Sequence, residues 1–368
     1  MPLKLPLAAT SPIDSFFEVR ADELEDKQSA APDMVIHVVD TVDYRTKWSN
    51  ARVAAQSGDS QQLSIAHSYQ SCAGLLDLKY LGMAPGDPEQ HFGALALAFP
   101  HFRDLLTVFE DASYGALVRA SQQLSGIRVL LLGPPGIGKT RVVHTLAESL
   151  SLGCEKLSIN ASVTSHELLG LAHTWGNPTP GLIAKLMSRS LTANPIVVLD
   201  EVDKGAVDMR QYGSSLNTLL ELTEPSTAKT IHDQCLAVDI DLSRVSFIAT
   251  ANSTNSLSEP LLSRFQVIEV RAPSRSQMPA VLQSIYGEVL GNDAGVFDAR
   301  LSTDLIESLL DDTPRAARRR LQAAVCHAAK RRVQSNLKSD QPIVVTPEDL
   351  PGRQEQIVRS IGFVPQAM

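Results

Sequence analysis

The chain has 368 residues, 43% of them hydrophobic and 20% charged, with a net charge of −8. That length builds two or three domains, and the acidic balance argues against a protein that binds polyanions over its whole surface. Cys72, Cys154, Cys235 and Cys326 form no CxxC pair and no zinc spacing, no apolar run approaches a membrane span, and Met1 to Thr10 has one lysine and too little apolar length for a signal peptide, so a reduced, cytoplasmic protein without a membrane partner is expected.

Residues 1–95 are read as an N-terminal region of unknown role. Asp22 to Asp33 is acidic and polar like a linker, Met34 to Val39 is a candidate strand, and Ala51 to Leu76 carries helical stretches. The turn cluster Gly82 to Pro88 is a plausible boundary. From 96 to 272, strands at 127–132, 155–159, 195–199, 244–250 and 266–271 alternate with helical patterns. That alternation predicts an α/β domain with a parallel sheet covered by helices on both faces. From 273 to 364 the strand signals fade, and helical patterns at 276–290, 302–311 and 314–334 predict a small helical domain. A short strand, Ile343 to Val345, precedes a helix start at Thr346-Pro347.

The most informative stretch is Gly133-Pro134-Pro135-Gly136-Ile137-Gly138-Lys139-Thr140, followed by Arg141. It follows the apolar run Ile127 to Leu132 and precedes a helix whose Val142, Val143, Leu146, Ala147 and Leu150 share one face. Strand, glycine-rich turn and helix in this order make a phosphate-binding loop. Gly136 and Gly138 permit close approach and positive φ, while Pro134 and Pro135 have no N–H and stiffen the turn. Donors come from the N–H groups of Gly136 through Thr140 at the positive end of a helix. Lys139 would reach the β and γ phosphates of a nucleoside triphosphate, and the Thr140 hydroxyl would hold Mg2+.

Pro195 to Leu199 is a buried-type strand ending in Asp200 and Glu201. In a doubly wound sheet its carboxyl end lies beside the phosphate loop. Asp200 is a Mg2+ ligand candidate, and Glu201, one residue on, is a candidate general base for the attacking water. A second apolar strand, Val245 to Ala251, ends at Asn252, which is placed to orient that water. Arg264 and Arg315 read alone as surface charges, and Arg315 opens a basic helix with Arg318, Arg319, Arg320, Lys330, Arg331 and Arg332. No aromatic residues interleave with those charges, which disfavours nucleic acid.

The order of these motifs resembles the AAA+ ATPases, and among them the ATPase module of Lon proteases. The resemblance rests on Leu199-Asp200-Glu201-Val202-Asp203-Lys204 as Walker B, Phe247 to Asn252 as the sensor 1 strand, and Pro260 to Ile268 as the arginine-finger segment. It implies that Asn252 is sensor 1, that Arg264 completes the site of a neighbouring subunit in a homo-hexamer, and that Arg315 is sensor 2 on a helical lid. It also implies that Trp175, with Gly176 beside it, lies on a pore loop that grips a polypeptide client, and that Tyr114-Gly115 lies on the adenine side. Lon carries a Ser-Lys peptidase domain after the lid, and no such signature occurs before Met368. The expectation is therefore an ATP-hydrolysing protein unfoldase or remodeller without its own peptidase, working with a separate peptidase or adaptor. A nucleotide-dependent switch or adaptor and a DNA-associated ATPase are the alternatives.

Overall fold

The computed structural model describes residues 35–119, 122–159, 164–173, 178–205, 217–335 and 341–352. It divides into two compact units at Ala272/Pro273.

The first unit is built on a five-stranded sheet. Its strands are β3 (Arg128–Leu132), β4 (Cys154–Ser158), β5 (Ile196–Asp200), β8 (Ser246–Ala251) and β9 (Gln266–Glu269). They are ordered β4-β5-β8-β3-β9, and every neighbouring pair is parallel. Each starts and stops within two residues of the run that its apolar pattern predicts. Two-residue alternation explains why the central runs are apolar on both faces. Val129, Leu131, Ile196, Val198 and Ile248 point into one core, while Leu130, Val197, Leu199, Phe247 and Ala249 point into the other. The central strands β3, β5 and β8, covered on both faces, therefore carry apolar side chains on both, whereas the edge strands β4 and β9 keep polar residues such as Glu155, Lys156, Gln266 and Glu269.

Residues 35–81 pack into this same unit rather than forming a body of their own. The two-residue strands β1 (Val35–Ile36) and β2 (Lys79–Tyr80) pair antiparallel. Between them run α1 (Thr41–Ala55) and α2 (Ser60–Ser71). Asp40 and Asp59 cap their N-termini by accepting from backbone N–H groups of the first turn. Tyr44, Trp48 and Ala51, spaced four and three apart, form the buried stripe of α1. The Tyr44 and Tyr69 rings meet edge to face at 5.3 Å, and both hydroxyls donate to backbone carbonyls, Tyr44 to Tyr69 and Tyr69 to Leu236, at 2.7 Å each. All these side chains belong to the core cluster that backs β5 and β8.

Leu236 lies in a hairpin that the sequence reading does not anticipate, β6 (Ile231–Asp233) with β7 (Val238–Ile240). Buried Asp233 organises its turn, accepting from the N–H groups of Cys235 and Leu236, and from Gly181 across the chain. The turn cluster at Gly82 is stitched in as well. The Gly82 N–H donates to Asn194 Oδ1, and Asn194 Nδ2 donates back to the Gly82 and Leu124 carbonyls. A Cβ on Gly82 would sit 2.0 Å from Leu152, so glycine there serves close packing rather than a linker.

On the opposite face, α3 (Pro88–Ala98), α4 (Arg103–Leu117) and α5 (Lys139–Ser149) build the second core. Val142, Val143, Leu146 and Ala147 of α5 are buried, and Leu150 follows as its C-cap. Two shorter helices, α6 (Ser165–Leu169) and α7 (Leu182–Arg189), flank the segment 170–181.

The second unit holds α8 (Met278–Leu290), α9 (Thr303–Glu307) and α10 (Pro314–Gln334) around its own apolar cluster. Ile343 makes an isolated bridge to Phe297 instead of an extended strand. Thr346 caps a single 3-10 turn, Pro347–Asp349. Three arginines of α10 are in ion pairs within the unit: Arg318 with Glu288, Arg320 with Asp312 and Arg331 with Asp349. The basic face is therefore compensated in part by its own neighbours. No helix among the described residues is long and apolar enough to cross a membrane.

Candidate nucleotide site

β5, β8 and β3 are neighbours, so the segments leaving their carboxyl ends meet. Gly133 leaves β3 where its backbone approaches β9 closely; a Cβ there would lie 2.2 Å from the Val270 carbonyl oxygen. Gly136 and Gly138 have φ of 82° and 103°, a region that favours glycine, and Gly138 is the N-cap of α5. The turn thus delivers the first N–H groups of α5 to one place, where the helix dipole favours an anion.

Lys139, buried at 9% exposure, folds back over the loop. Its Nζ donates to the carbonyls of Gly133 (2.5 Å) and Pro134 (3.1 Å) and to Asn252 Oδ1 (3.1 Å). Asn252 is fixed in turn, because its N–H donates to Asp203 Oδ2 at 2.9 Å. The phosphate-loop lysine and the residue ending β8 are therefore in direct contact.

Asp200 is the other focus. Its Oδ1 accepts from Thr250 Oγ1 (2.5 Å) and Thr140 Oγ1 (3.4 Å), and its Oδ2 pairs with Lys156 of β4. Burial alone would raise the Asp200 pKa. The Lys156 ammonium and the hydroxyls of Thr250 and Thr140 outweigh that and hold it below the ordinary carboxylate value. Thr250 also ties in the next residue, since its Oγ1 accepts from the Glu201 N–H at 3.1 Å. Glu201 has φ of 57°, in the left-handed region where a residue with a Cβ is strained. Its half-exposed carboxylate meets Lys204 Nζ at 2.6 Å, a contact that raises the lysine pKa.

The donor set suits a small hard cation. Thr140 and Asp200 offer a hydroxyl and a carboxylate, and Asp203 Oδ1 is buried without a hydrogen-bond partner nearby. Among the described residues no group of three or more His, Cys, Asp or Glu could cage a metal. Such an ion would draw its remaining ligands from phosphate oxygens and water, the usual habit of Mg2+.

Arg264, Arg315 and Tyr114 each sit in surroundings of their own. Arg264 is held by its own segment: Nη1 donates to the Pro260 carbonyl at 2.8 Å and Nη2 lies 3.5 Å from Glu224. Arg315 is exposed in the first turn of α10, in the second unit. Tyr114 is half-exposed on α4, about 16 Å along the helix axis from Arg103. Near the loop the contacts come instead from the segment leading into α4. His101 Nε2 lies 3.0 Å from the Ile137 carbonyl, and Phe99 lies under the Arg141 guanidinium at 4.8 Å. Burial lowers the His101 pKa, and the nearby Arg141 charge acts in the same direction. Trp175 and Gly176 fall outside the described residues.

Lys156, Thr250 and His101 are the site residues that sequence reasoning misses. Thr250 carries a readable signal, a hydroxyl near the carboxyl end of a strand whose preceding residues, Phe247 to Ala249, are apolar. Lys156 becomes significant only once β4 is known to pair with β5.

The fold is that of an AAA domain, a five-stranded parallel sheet flanked by helices and followed by C-terminal helices. Residues 129–272 match the family model described as "ATPase family associated with various cellular activities (AAA)". The chain is 33% identical over 241 residues to Lon protease 2 of Sorangium cellulosum, covering 64% of this chain and 30% of that protein. It is 34% identical over 202 residues to Lon protease of Porphyromonas gingivalis (54% of this chain, 24% of that one) and 30% identical over 243 residues to Lon protease 1 of Hydrogenovibrio crunogenus (64% and 29%). The chain thus carries a Lon-like AAA+ module and spans under a third of the length of these relatives.

Proposed function

We propose that this protein binds ATP with Mg2+, hydrolyses it, and uses the cycle to unfold or remodel a polypeptide. The observation that carries the reading is the convergence of Lys139, Thr140, Asp200, Glu201 and Asn252 at the carboxyl ends of three adjacent strands. In this reading the loop N–H groups and Lys139 bind the phosphates, and the ion held by Thr140 and Asp200 supplies charge neutralisation at them. Glu201 takes the proton from the attacking water once its carboxylate leaves Lys204, and Asn252 orients that water. Arg264 acts in trans, which requires a ring; a homo-hexamer is the assembly proposed. Its 3.5 Å pairing with Glu224 is long, so exchanging that one contact costs little, while the 2.8 Å bond to the Pro260 carbonyl keeps the side chain in its segment. Arg315 serves as the phosphate sensor of the second unit, and Trp175 grips the client.

The test is complementation. Glu201→Gln and Arg264→Ala are each expected to abolish hydrolysis while retaining nucleotide binding. Mixing the two restores part of the activity if Arg264 works in a neighbour's site. Mixed rings with no activity, or an Arg264→Ala monomer hydrolysing at the wild-type rate, would defeat the shared-site reading.

A slow nucleotide switch is the second reading, favoured by the Glu201–Lys204 pair, which occupies the base. Lys204→Ala separates the two, because release of the base speeds hydrolysis only where the pair limits turnover.

A further inference from the structure

Asp200 divides its two oxygens between different kinds of partner. Oδ1 faces hydroxyls, those of Thr250 and Thr140, whereas Oδ2 faces a full positive charge, the ammonium of Lys156. The contact follows from strand register. In the parallel β4–β5 ladder Lys156 stands opposite Val198, and Ser158 stands opposite Asp200. Lys156 and Asp200 are therefore diagonal neighbours on one face of the sheet, within reach of a long side chain. Side-chain exposure is 41% for Lys156 and 14% for Asp200, so the pair lies at the rim, where water and ions reach it.

The strands do not need this pair. β4 and β5 are already joined through five registered positions, and β4 ends one residue pair beyond the last apolar contact, Leu157 with Leu199. The ammonium instead sits on the carboxylate that shares Thr140 with the phosphate loop. A monovalent cation and a divalent one cannot both hold the same carboxylate without repelling each other.

We propose that Lys156 is a resident counter-cation that competes with the divalent ion for Asp200, and so sets the magnesium concentration at which the loop takes up nucleotide. Without nucleotide, Lys156 neutralises Asp200, which is mostly buried and would otherwise be an uncompensated charge. On binding, the lysine moves off Oδ2 toward solvent, and the flexibility of its four-carbon stem keeps that step inexpensive. Lys156 is a positioning residue in this scheme, acting through Asp200. The inference rests on the nucleotide-binding reading given above.

The experiment is equilibrium binding of a fluorescent ADP analogue at a series of free Mg2+ concentrations, with the wild type, Lys156→Gln and Lys156→Arg. Lys156→Gln is expected to shift the magnesium midpoint down about two- to fivefold, the size of a rim ion pair removed as competitor. Affinity at saturating Mg2+ is expected to stay the same. Lys156→Arg keeps a cation on Asp200 and is expected to leave the midpoint at or above the wild-type value. An unchanged or raised midpoint in Lys156→Gln overturns the proposal, as does a lowered midpoint in Lys156→Arg. If Lys156→Gln does not fold, Lys156→Met takes its place under the same criteria, since the exposed stem tolerates either. A wild type that binds no nucleotide at any magnesium concentration would defeat the nucleotide reading itself, which is a different result from intact, magnesium-dependent binding with an unmoved midpoint.

Discussion

Replacing Glu201 by glycine and by alanine separates its backbone role from its chemistry. The residue is held at φ 57°, between a buried strand and the one-turn helix Val202–Gly205, with its N–H fixed on Thr250. A left-handed conformation costs a residue with a Cβ about 1–2 kcal/mol, and glycine escapes that cost. Glycine gives back about 0.5–1 kcal/mol through the greater freedom of the unfolded chain. Both variants lose the exposed Lys204 pair equally, so that contribution cancels. Glu201→Gly should therefore be more stable than Glu201→Ala by about 0.5–1 kcal/mol, or roughly 1–4 °C in Tm for a unit of this size. Denaturant titration reads the difference directly. Both variants should bind nucleotide like the wild type and hydrolyse it about 10²–10⁴-fold more slowly, the usual worth of a general base. An alanine variant equal to or more stable than the glycine variant would refute the strain argument. Wild-type hydrolysis in either would remove Glu201 from the chemistry.

Other consequences are equally open to measurement. Lys139→Met removes the ammonium at the loop and should weaken nucleotide binding about 10- to 100-fold by equilibrium titration. Trp48→Ala, at 2% exposure, should cost about 3–5 kcal/mol and lower the melting temperature of the whole first unit, whereas a change below about 1 kcal/mol would mean that α1 is only loosely attached. Gly133→Ala forces a Cβ to 2.2 Å from the Val270 oxygen, where ordinary contact begins at 3.4 Å, and should cost about 1–3 kcal/mol together with nucleotide affinity. Asp200 has a folded pKa below its unfolded one, so its contribution to stability is full above the unfolded value and is lost as pH falls through the folded value. Asp200→Asn should accordingly lose less stability than the wild type between pH 6 and pH 3 in parallel denaturation curves.

The central strands of the main sheet were legible because cover on both faces makes them apolar along most of their length. β3, β5 and β8 are such runs, and the polar residues that end them, Asp200 and Asn252, mark the side on which ligands bind. The phosphate loop was legible because its glycines and lysine answer to a single ligand chemistry. The β6–β7 hairpin was not, since two strands of three residues give too short an alternation, and its key residue, Asp233, is a buried carboxylate recognisable only by the N–H groups it accepts. The N-terminal helices showed helical stretches but not where they pack, because their buried stripes are a few aromatics among polar residues. Lys156 could not be singled out, because its meaning depends on a register that periodicity leaves open.

The close approach at Gly133 has a consequence for the path of the chain. The Val270 N–H donates to the Leu132 carbonyl at 2.7 Å, and the Val270 oxygen rests against the first glycine of the loop. Three residues later, at Pro273, the chain enters its second unit. Because Gly133 carries no side chain, the backbone that ends β9, three residues before the second unit begins, lies directly against the first residue of the loop.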